Sequence, residues 1–336
     1  MKTLLASLIL VLATAAHAEY SAADFNAAWR DYNAALEEGD AAAVVETSQS
    51  VLDIARELLP ESDERIPVLM LNHATALDRA GEEDDARKVF DAATDLSKKV
   101  HGAGSIDYAD FAFETGASLV DVGNTKMGRK YLGEAEAIYR AGGSQQRQRL
   151  GLATMYLGQA DTTDGRFDAA ERYLLQAADN LPLADEATLA DGVRARALLV
   201  QNYELDGKSE LATPYCVAIG EANAAEQGDD YLPLFRMAPR YPSVMLNSGQ
   251  EGYVVFSFTV DEQGYVRDPE VIEESDFRYM SARRTGSSMS VSARDRSFRV
   301  AALEAVERFR YAPRFENGKP VATTGVKTRI TFELED

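Results

Sequence analysis

The strongest constraint on the fold is a glycine that recurs every 42 residues along most of the chain. The five positions are Gly39, Gly81, Gly123, Gly165 and Gly207. A fixed period of this length is typical of repeat architectures, in which each unit buries its apolar face against the next unit. The sequence therefore predicts five successive copies of one structural unit.

Small and apolar residues keep the same register around these glycines. They stand seven residues before four of the glycines and five, nine and twelve residues after them, and they are Ala74, Gly116, Gly158, Val200, Ala86, Gly128, Ala170, Ala212, Phe90, Leu132, Leu174, Cys216, Ala93, Ala135, Ala177 and Ile219. The later offsets follow one stripe of a helix. Each unit is therefore predicted to be a helix, a glycine turn and a second helix, which makes five hairpins.

This pattern resembles the tetratricopeptide repeat over residues 20–226. The period of 42 is longer than the usual 34, so the resemblance implies longer helices, as in the subclass found in kinesin light chains. The first repeat is degenerate at the matching positions, which hold Tyr32, Val44, Ser48 and Val51. The resemblance implies an all-α solenoid that binds a peptide or a partner helix on its concave surface. An ordinary closed helical bundle is the alternative.

After Gln227 the helical pattern gives way to alternation of apolar and polar residues. Strands are predicted over 253–260 and 265–272, joined by a turn that ends at Gly264, and a last strand over 326–334. Apolar residues at helical spacing predict a helix over 298–309. The sequence thus predicts a small α+β domain, with one helix on a three-stranded antiparallel sheet.

Residues 237–334 resemble the C-terminal domain of TonB, the periplasmic energy transducer. The shared motifs are Pro239-x-Tyr241-Pro242, Gly249-x-Glu251-Gly252-x-Val254, Val260-Asp261, Gly264-x-Val266, Phe298-x-x-Ala301-Ala302, Phe309-x-Tyr311-x-Pro313 and Asn317-Gly318-Lys319-Pro320-Val321. The resemblance implies binding by strand addition, in which an extended peptide pairs its backbone with an exposed sheet edge.

The last strand is the predicted docking edge. Its candidate binding residues are Val326, Lys327, Thr328, Arg329, Ile330, Thr331 and Phe332. Tyr241 and Pro242 are further candidates, because the equivalent segment of TonB lies near the docked receptor peptide. The charges on this strand are also typical of an edge that is protected against aggregation, so the charge pattern alone leaves both interpretations open.

The N-terminus has the pattern of a cleaved signal peptide, with Lys2, an apolar run over 4–16 and the motif Ala16-His17-Ala18. The run is shorter than the roughly 20 residues that cross a bilayer. We therefore expect a signal peptide at 1–18, repeats at 19–226 and the TonB-like domain at 227–336, with export to the periplasm and no membrane segment after cleavage. TonB's own membrane helix and Pro-rich spacer have no counterpart in this sequence.

The formal net charge of −20 is confined to the part of the chain before Tyr231. From Tyr231 onward there are 15 basic and 15 acidic residues, so that 20 basic residues face 40 acidic ones before it. Such a surface repels nucleic acid and anionic lipid headgroups, so no nucleic-acid partner is predicted. It favours basic partners or simply solubility. The stretch 273–297 holds five arginines and is interpreted either as a solvated loop or as a basic clamp.

The sequence predicts neither catalysis nor a cofactor. The mature chain would hold two histidines, His73 and His101, and one cysteine, Cys216, which lies on an apolar helix face and is expected to be buried. These residues form no recognisable triad or metal motif. The stretch 161–168 is partly similar to a calcium loop, but the repeat already accounts for Gly165.

Two functions follow from these observations. The first is a periplasmic adaptor for TonB-dependent outer-membrane transport, whose C-terminal domain binds a receptor or another transport component and whose repeats recruit a second protein. The second is a cell-envelope scaffold or assembly factor that binds peptidoglycan or an unrelated envelope protein.

Overall fold

The structure is a computed structural model that describes residues 20–224, 231, 233–275 and 297–334. The predicted signal peptide at 1–18 and the predicted boundary between residues 226 and 227 lie outside the described residues. So do the five arginines of the proposed loop or clamp, which are Arg278, Arg283, Arg284, Arg294 and Arg296. The chain forms two compact units, one ending at Asp164 and the other beginning at Gly165.

Ten helices make up the described repeat region. They are α1 Ala22–Glu38, α2 Ala41–Leu58, α3 Arg65–Arg79, α4 Glu83–His101, α5 Ile106–Asp121, α6 Thr125–Ala141, α7 Arg147–Thr163, α8 Phe167–Asn180, α9 Leu189–Leu205 and α10 Ser209–Ala222. Each of the five repeated glycines stands between an odd-numbered helix and the next, with φ between 70° and 90°. This backbone conformation is strained for a residue that has a side chain, whereas glycine adopts it freely. The predicted order of helix, glycine turn and helix is confirmed.

The small residues of the repeat allow two helices to touch through their backbones. A Cβ atom added to Gly116 of α5 would lie 2.6 Å from Cγ of Leu132 and 2.9 Å from the carbonyl oxygen of Gly128, both on α6. Real side chains do not approach so closely, so the pair of glycines sets the distance between these helices.

The predicted helical stripe is the core of the repeats. Phe90, Leu132, Leu174 and Cys216, which occupy one repeat position, are all at most 1% exposed. The degenerate first repeat buries its matching residues as well, which are Tyr32, Val44, Ser48 and Val51. The first hairpin therefore uses the repeat positions with larger or more polar side chains.

The C-terminal region contains the predicted three-stranded antiparallel sheet, in which the strand that comes first in the sequence lies between the other two. Its strands are β2 Gly252–Val260, β3 Val266–Glu274 and β7 Thr323–Phe332, and α12 Phe298–Val306 packs against β2 and β3. A short helix, α11 Ser243–Asn247, precedes β2.

Two small ribbons were not predicted. They are β1 Pro233–Phe235 with β4 Arg310–Tyr311, and β5 Arg314–Glu316 with β6 Lys319–Val321. The predicted helix also ends earlier, at Val306, while Phe309 remains buried after it. The last strand starts three residues earlier than predicted, because a bulge at Gly325 (φ 73°) continues the pairing to Thr323.

Within the second unit, the last helical hairpin and the C-terminal region pack together. Helix α9 contacts β1, and α10 contacts β5 and β6. The unit that begins at Gly165 therefore combines repeat helices with the β-rich region in one compact body.

Candidate functional site

The pairing of β2 determines which main-chain groups of β7 face away from the sheet. The main-chain N–H and C=O groups of Tyr253 in β2 point toward the β3 side. The N–H donates to Oγ of Ser275 at 2.9 Å, and the carbonyl oxygen accepts from the N–H of Ser275 at 3.1 Å. Main-chain groups of successive strand residues point to opposite sides. Val254, Phe256 and Phe258 therefore direct theirs toward β7.

These three residues stand opposite Ile330, Thr328 and Val326 of β7 and form the hydrogen-bonded pairs of the ladder. The intervening residues Lys327, Arg329 and Thr331 consequently direct their N–H and C=O groups away from β2. Among the described residues no other strand pairs with that side of β7. A peptide that added there would meet a row of three donors and three acceptors.

The predicted site residues of β7 fall into two sets. The side chains of Val326, Thr328, Ile330 and Phe332 are buried in the core beneath the sheet. The side chains of Lys327, Arg329 and Thr331 are exposed on the opposite face. Lys327, Arg329 and Thr331 therefore offer both outward-facing main-chain groups and accessible side chains. The other four side chains anchor the strand in the core.

Arg329 is held in place on the exposed face. Its guanidinium lies 3.7 Å from the ring centre of Tyr253, which is close enough for a cation–π contact. Tyr253 in turn donates its hydroxyl hydrogen to Glu273 at 2.8 Å. The cation on the exposed face of β7 is therefore supported by residues of β2 and β3.

The other edge of the sheet, β3, is less suited to strand addition. Two register shifts interrupt its pairing with β2, and Asp268 has a positive φ of 49°. Pro269 has no N–H to donate. Bulges, proline and charged residues are the devices that protect edge strands. β7 is regular from Val326 to Phe332 and contains no proline, so it is the more receptive edge.

Tyr241 lies on the core side of β7, and Pro242 follows it in the sequence. The ring of Tyr241 meets those of Phe298 and Phe332 edge-on at 5.5 and 5.6 Å, and its hydroxyl donates to the carbonyl of Gln250 at 2.5 Å. Pro242 is buried at the start of α11. In this structure Tyr241 supports the core side of β7 through Phe332. Direct contact of Tyr241 or Pro242 with a peptide stays a prediction.

Sequence reasoning missed the residue that fastens this domain to the last hairpin. Arg310 of β4 is 1% exposed and lies in a pocket between α9, α10 and the turn before β3. Its guanidinium donates to Glu204 at 2.7 Å and to the carbonyl oxygens of Ser209 and Gln263, and it lies 3.7 Å from the ring centre of Tyr265. In the sequence, Arg310 stands between Phe309 and Tyr311, and nothing in this pattern indicates that it is buried.

Cys216 lies beside this pocket and is buried, as predicted. Burial raises the pKa of its thiol to about 11, while the nearby charge of Arg310 opposes the rise. A thiol with so high a pKa remains protonated at neutral pH and is a poor nucleophile. Cys216 therefore acts as a small core residue.

The stretch that is partly similar to a calcium loop is occupied by a protein cation. Arg129 lies 3.6 Å from the buried carboxylate of Asp161 and 2.6 Å from the more exposed carboxylate of Asp164. Within the described ranges, no cluster of three or more His, Cys, Asp or Glu residues could hold a metal ion. The same ranges contain no helix that is both long and apolar enough to cross a membrane.

Comparison with known proteins agrees with the motif resemblance. The family model described as Gram-negative bacterial TonB protein C-terminal matches residues 237–285. This match confirms the resemblance for the segment from Met237 through β3. No curated protein matches the chain in a sequence comparison.

Solved structures similar to the chain are helical repeat proteins. A kinesin light chain of Podosopora anserina with nearly identical TPR-like repeats is 15% identical, with a TM-score of 0.48, over 61% of this chain and 95% of that chain. BtubC (BKLC) from P. vanneervenii is 18% identical, with a TM-score of 0.42, over 66% and 98%. MamA from Desulfovibrio magneticus RS-1 is 14% identical, with a TM-score of 0.41, over 61% and 98%.

Proposed function

We propose that this chain is a periplasmic, TonB-like adaptor that assists TonB-dependent outer-membrane transport through protein–protein binding. In this proposal an extended segment of a transport receptor, or of another transport component, adds to β7 as a further strand. The helical repeats hold a second protein. The chain contributes binding and no chemical step.

The observation that carries the proposal is the main-chain row at Lys327, Arg329 and Thr331. Three consecutive outward positions can supply several backbone hydrogen bonds to one added strand. The core beneath them is closed by Phe332 and Tyr241, so the edge is already ordered before a peptide arrives. A preordered edge lowers the entropy lost on binding.

The charge of the exposed face indicates the side chains that such a strand would carry. Lys327 and Arg329 project from the same face of β7, two residues apart. Opposite charges on adjacent strands stabilise a sheet by about 0.2–1 kcal/mol per pair. We therefore expect acidic residues at alternate positions of the added strand.

The test is copurification from an envelope extract with residues 19–336 as bait, comparing Arg329→Pro with Arg329→Ala. Both substitutions remove the guanidinium above Tyr253, but only proline also removes the outward N–H. That N–H makes no bond within the β2–β7 ladder, so both variants are expected to fold. Circular dichroism melting curves check the folding.

Strand addition at β7 predicts that a TonB-dependent receptor, identified by mass spectrometry, is captured by the native chain and by Arg329→Ala and is largely lost with Arg329→Pro. Equal capture by the two variants would exclude β7 as the docking edge. Capture of cell-wall material without any transport protein would replace the adaptor by the envelope scaffold.

A further inference from the structure

The first compact unit contains a groove that the TonB-like domain does not explain. It has a volume of about 420 Å³ and lies along α3, α5 and α7, which are the first helices of three consecutive repeats. Its apolar lining residues are Val68, Leu71, Phe111, Phe113 and Leu152. An apolar cavity of this size is in the range of known ligand sites.

Carboxylates line one side of this groove. Asp107, Asp110 and Glu114 follow one another on successive turns of α5, with side chains on the same face. Asp110 is already paired, because Arg149 contacts it at 2.8 and 3.2 Å and the hydroxyl of Tyr139 donates to it at 2.7 Å. The Arg149 cation therefore neutralises only one of the three charges.

Glu114 has no hydrogen bond or ion pair to any described residue of the chain. Its side chain is exposed and lines the groove, and partial burial of the carboxylate and then the charge of Asp110 raise its pKa. A carboxylate that stands near other negative charges and has no partner gains from an incoming cation. An apolar side chain of a bound segment would remove the apolar lining residues beside Glu114 from water, which favours binding.

We propose that this groove binds a segment of a partner protein in which a lysine or arginine stands next to an apolar side chain, with the cation at Glu114 and the apolar group on Phe111 and Phe113. The proposal rests on the proposed function in one respect, namely that the repeats recruit a protein. The partner's chemistry follows from charge complementarity, and the acidic repeat surface would also draw a basic segment toward the groove.

The experiment begins with a random twelve-residue peptide library selected on residues 19–336. One enriched peptide is then labelled, and its affinity is measured by fluorescence anisotropy for the native chain, Glu114→Gln and Glu57→Gln. Glu57 is an exposed residue of α2 that does not line the groove, so its substitution changes the net charge equally. Since Glu114 has no internal partner, Glu114→Gln is expected to fold like the native chain.

Binding at the groove predicts enrichment of lysine or arginine beside apolar residues. It also predicts a loss of about tenfold in affinity for Glu114→Gln and none for Glu57→Gln. Replacing the basic residue of the peptide by glutamine should cause a similar loss with the native chain and little further loss with Glu114→Gln, as expected when two groups interact directly.

Enrichment without basic residues, or equal losses for Glu114→Gln and Glu57→Gln, would overturn the proposal. Arg329→Pro, measured with the same peptide, separates this inference from strand addition. Unchanged peptide binding by Arg329→Pro is expected if the groove is the site. Loss of binding would assign the peptide to β7 instead and overturn the groove.

Discussion

Arg310 and Glu204 form a buried ion pair although 106 residues separate them in sequence. Their side chains are 1% and 4% exposed, and Nη1 of Arg310 lies 2.7 Å from Oε1 of Glu204. One residue belongs to β4 and the other to the end of α9. The pair thus joins the last helical hairpin to the β-rich region inside the second unit.

Removing one member of this pair should destabilise the second unit strongly. Arg310→Met leaves the Glu204 carboxylate buried without its cation, which is expected to reduce the free energy of unfolding by about 3–5 kcal/mol. The double variant Glu204→Gln with Arg310→Met should lose less than the sum of the two single losses. Hydrogen exchange of α9 and β2 measures all three. Additive losses would show that the two side chains do not depend on each other.

A C-terminal fragment should require the last repeat helices. A fragment that begins at Tyr231 lacks Glu204, Ser209 and Thr213, so the guanidinium of Arg310 would lose these partners. We expect it to melt at a lower temperature than a fragment that begins at Gly165. Thermal unfolding followed by circular dichroism compares them, and equal melting temperatures would contradict this dependence.

The glycine contact between α5 and α6 provides a matched pair of substitutions. Gly116→Ala places a methyl group against Leu132 and should destabilise the first unit by about 1–3 kcal/mol. Gly133→Ala, in the interior of α6 with open space around it, should stabilise that helix by up to about 1 kcal/mol. Urea denaturation measures both. Equal effects of the two substitutions would mean that the backbones of α5 and α6 can move apart without a loss of stability.

The stability of the first unit should depend on the protonation of His73. This buried histidine forms a hydrogen bond of 2.9 Å with Oγ of Ser48. Burial lowers its pKa below the ordinary 6.5, against an opposing effect of Asp53. As the pH falls below about 6.5, the unfolded chain therefore takes up a proton that the folded chain does not, and the free energy of unfolding falls.

The measurement is the melting temperature of the native chain and of His73→Asn at about pH 7.5 and pH 5.5. Between the higher and the lower pH, the melting temperature of the native chain should decrease more than that of His73→Asn. Comparing the two chains removes the contribution of the many carboxylates, which they share. An identical loss in both would exclude His73 as a source of the pH dependence.

The repeat region could be predicted from the sequence because a positive φ and a close helix contact each restrict the residue type. Glycine at the five turns and small residues at positions such as Gly116 and Gly128 therefore leave a periodic trace. The long strands β2 and β7 could be predicted for a similar reason, since one face is buried and the other exposed.

The short ribbons and the buried arginine could not be predicted in this way. β4 has two residues, too few for alternation to be recognised, and its pairing with β1 spans more than seventy positions of sequence. Arg310 is hydrophilic, so pattern reasoning assigns it to the surface. Its burial depends on partners from α9, α10 and the Gln263 turn, which come together only in the folded chain.

β7 was predicted correctly as a strand at the border of the sheet, but the sequence could not show which of its residues direct their main-chain groups outward. Alternation separates exposed from buried side chains, whereas the direction of the N–H groups depends on the bonds of the neighbouring strand. The contact of Tyr253 with Ser275 supplies that information. The role of Tyr241 beneath Phe332 likewise follows from aromatic packing rather than from its motif.

The close contact at Gly220 has a consequence for how this chain can change in evolution. The carbonyl oxygen of Pro313 lies against Gly220 of α10, so that no side chain could be accommodated there. Together with Glu204, this contact makes the final hairpin specific to the domain that follows it. A repeat farther upstream could therefore be duplicated or lost without disturbing this junction. In contrast, α9 and α10 can be replaced only together with the residues that they contact.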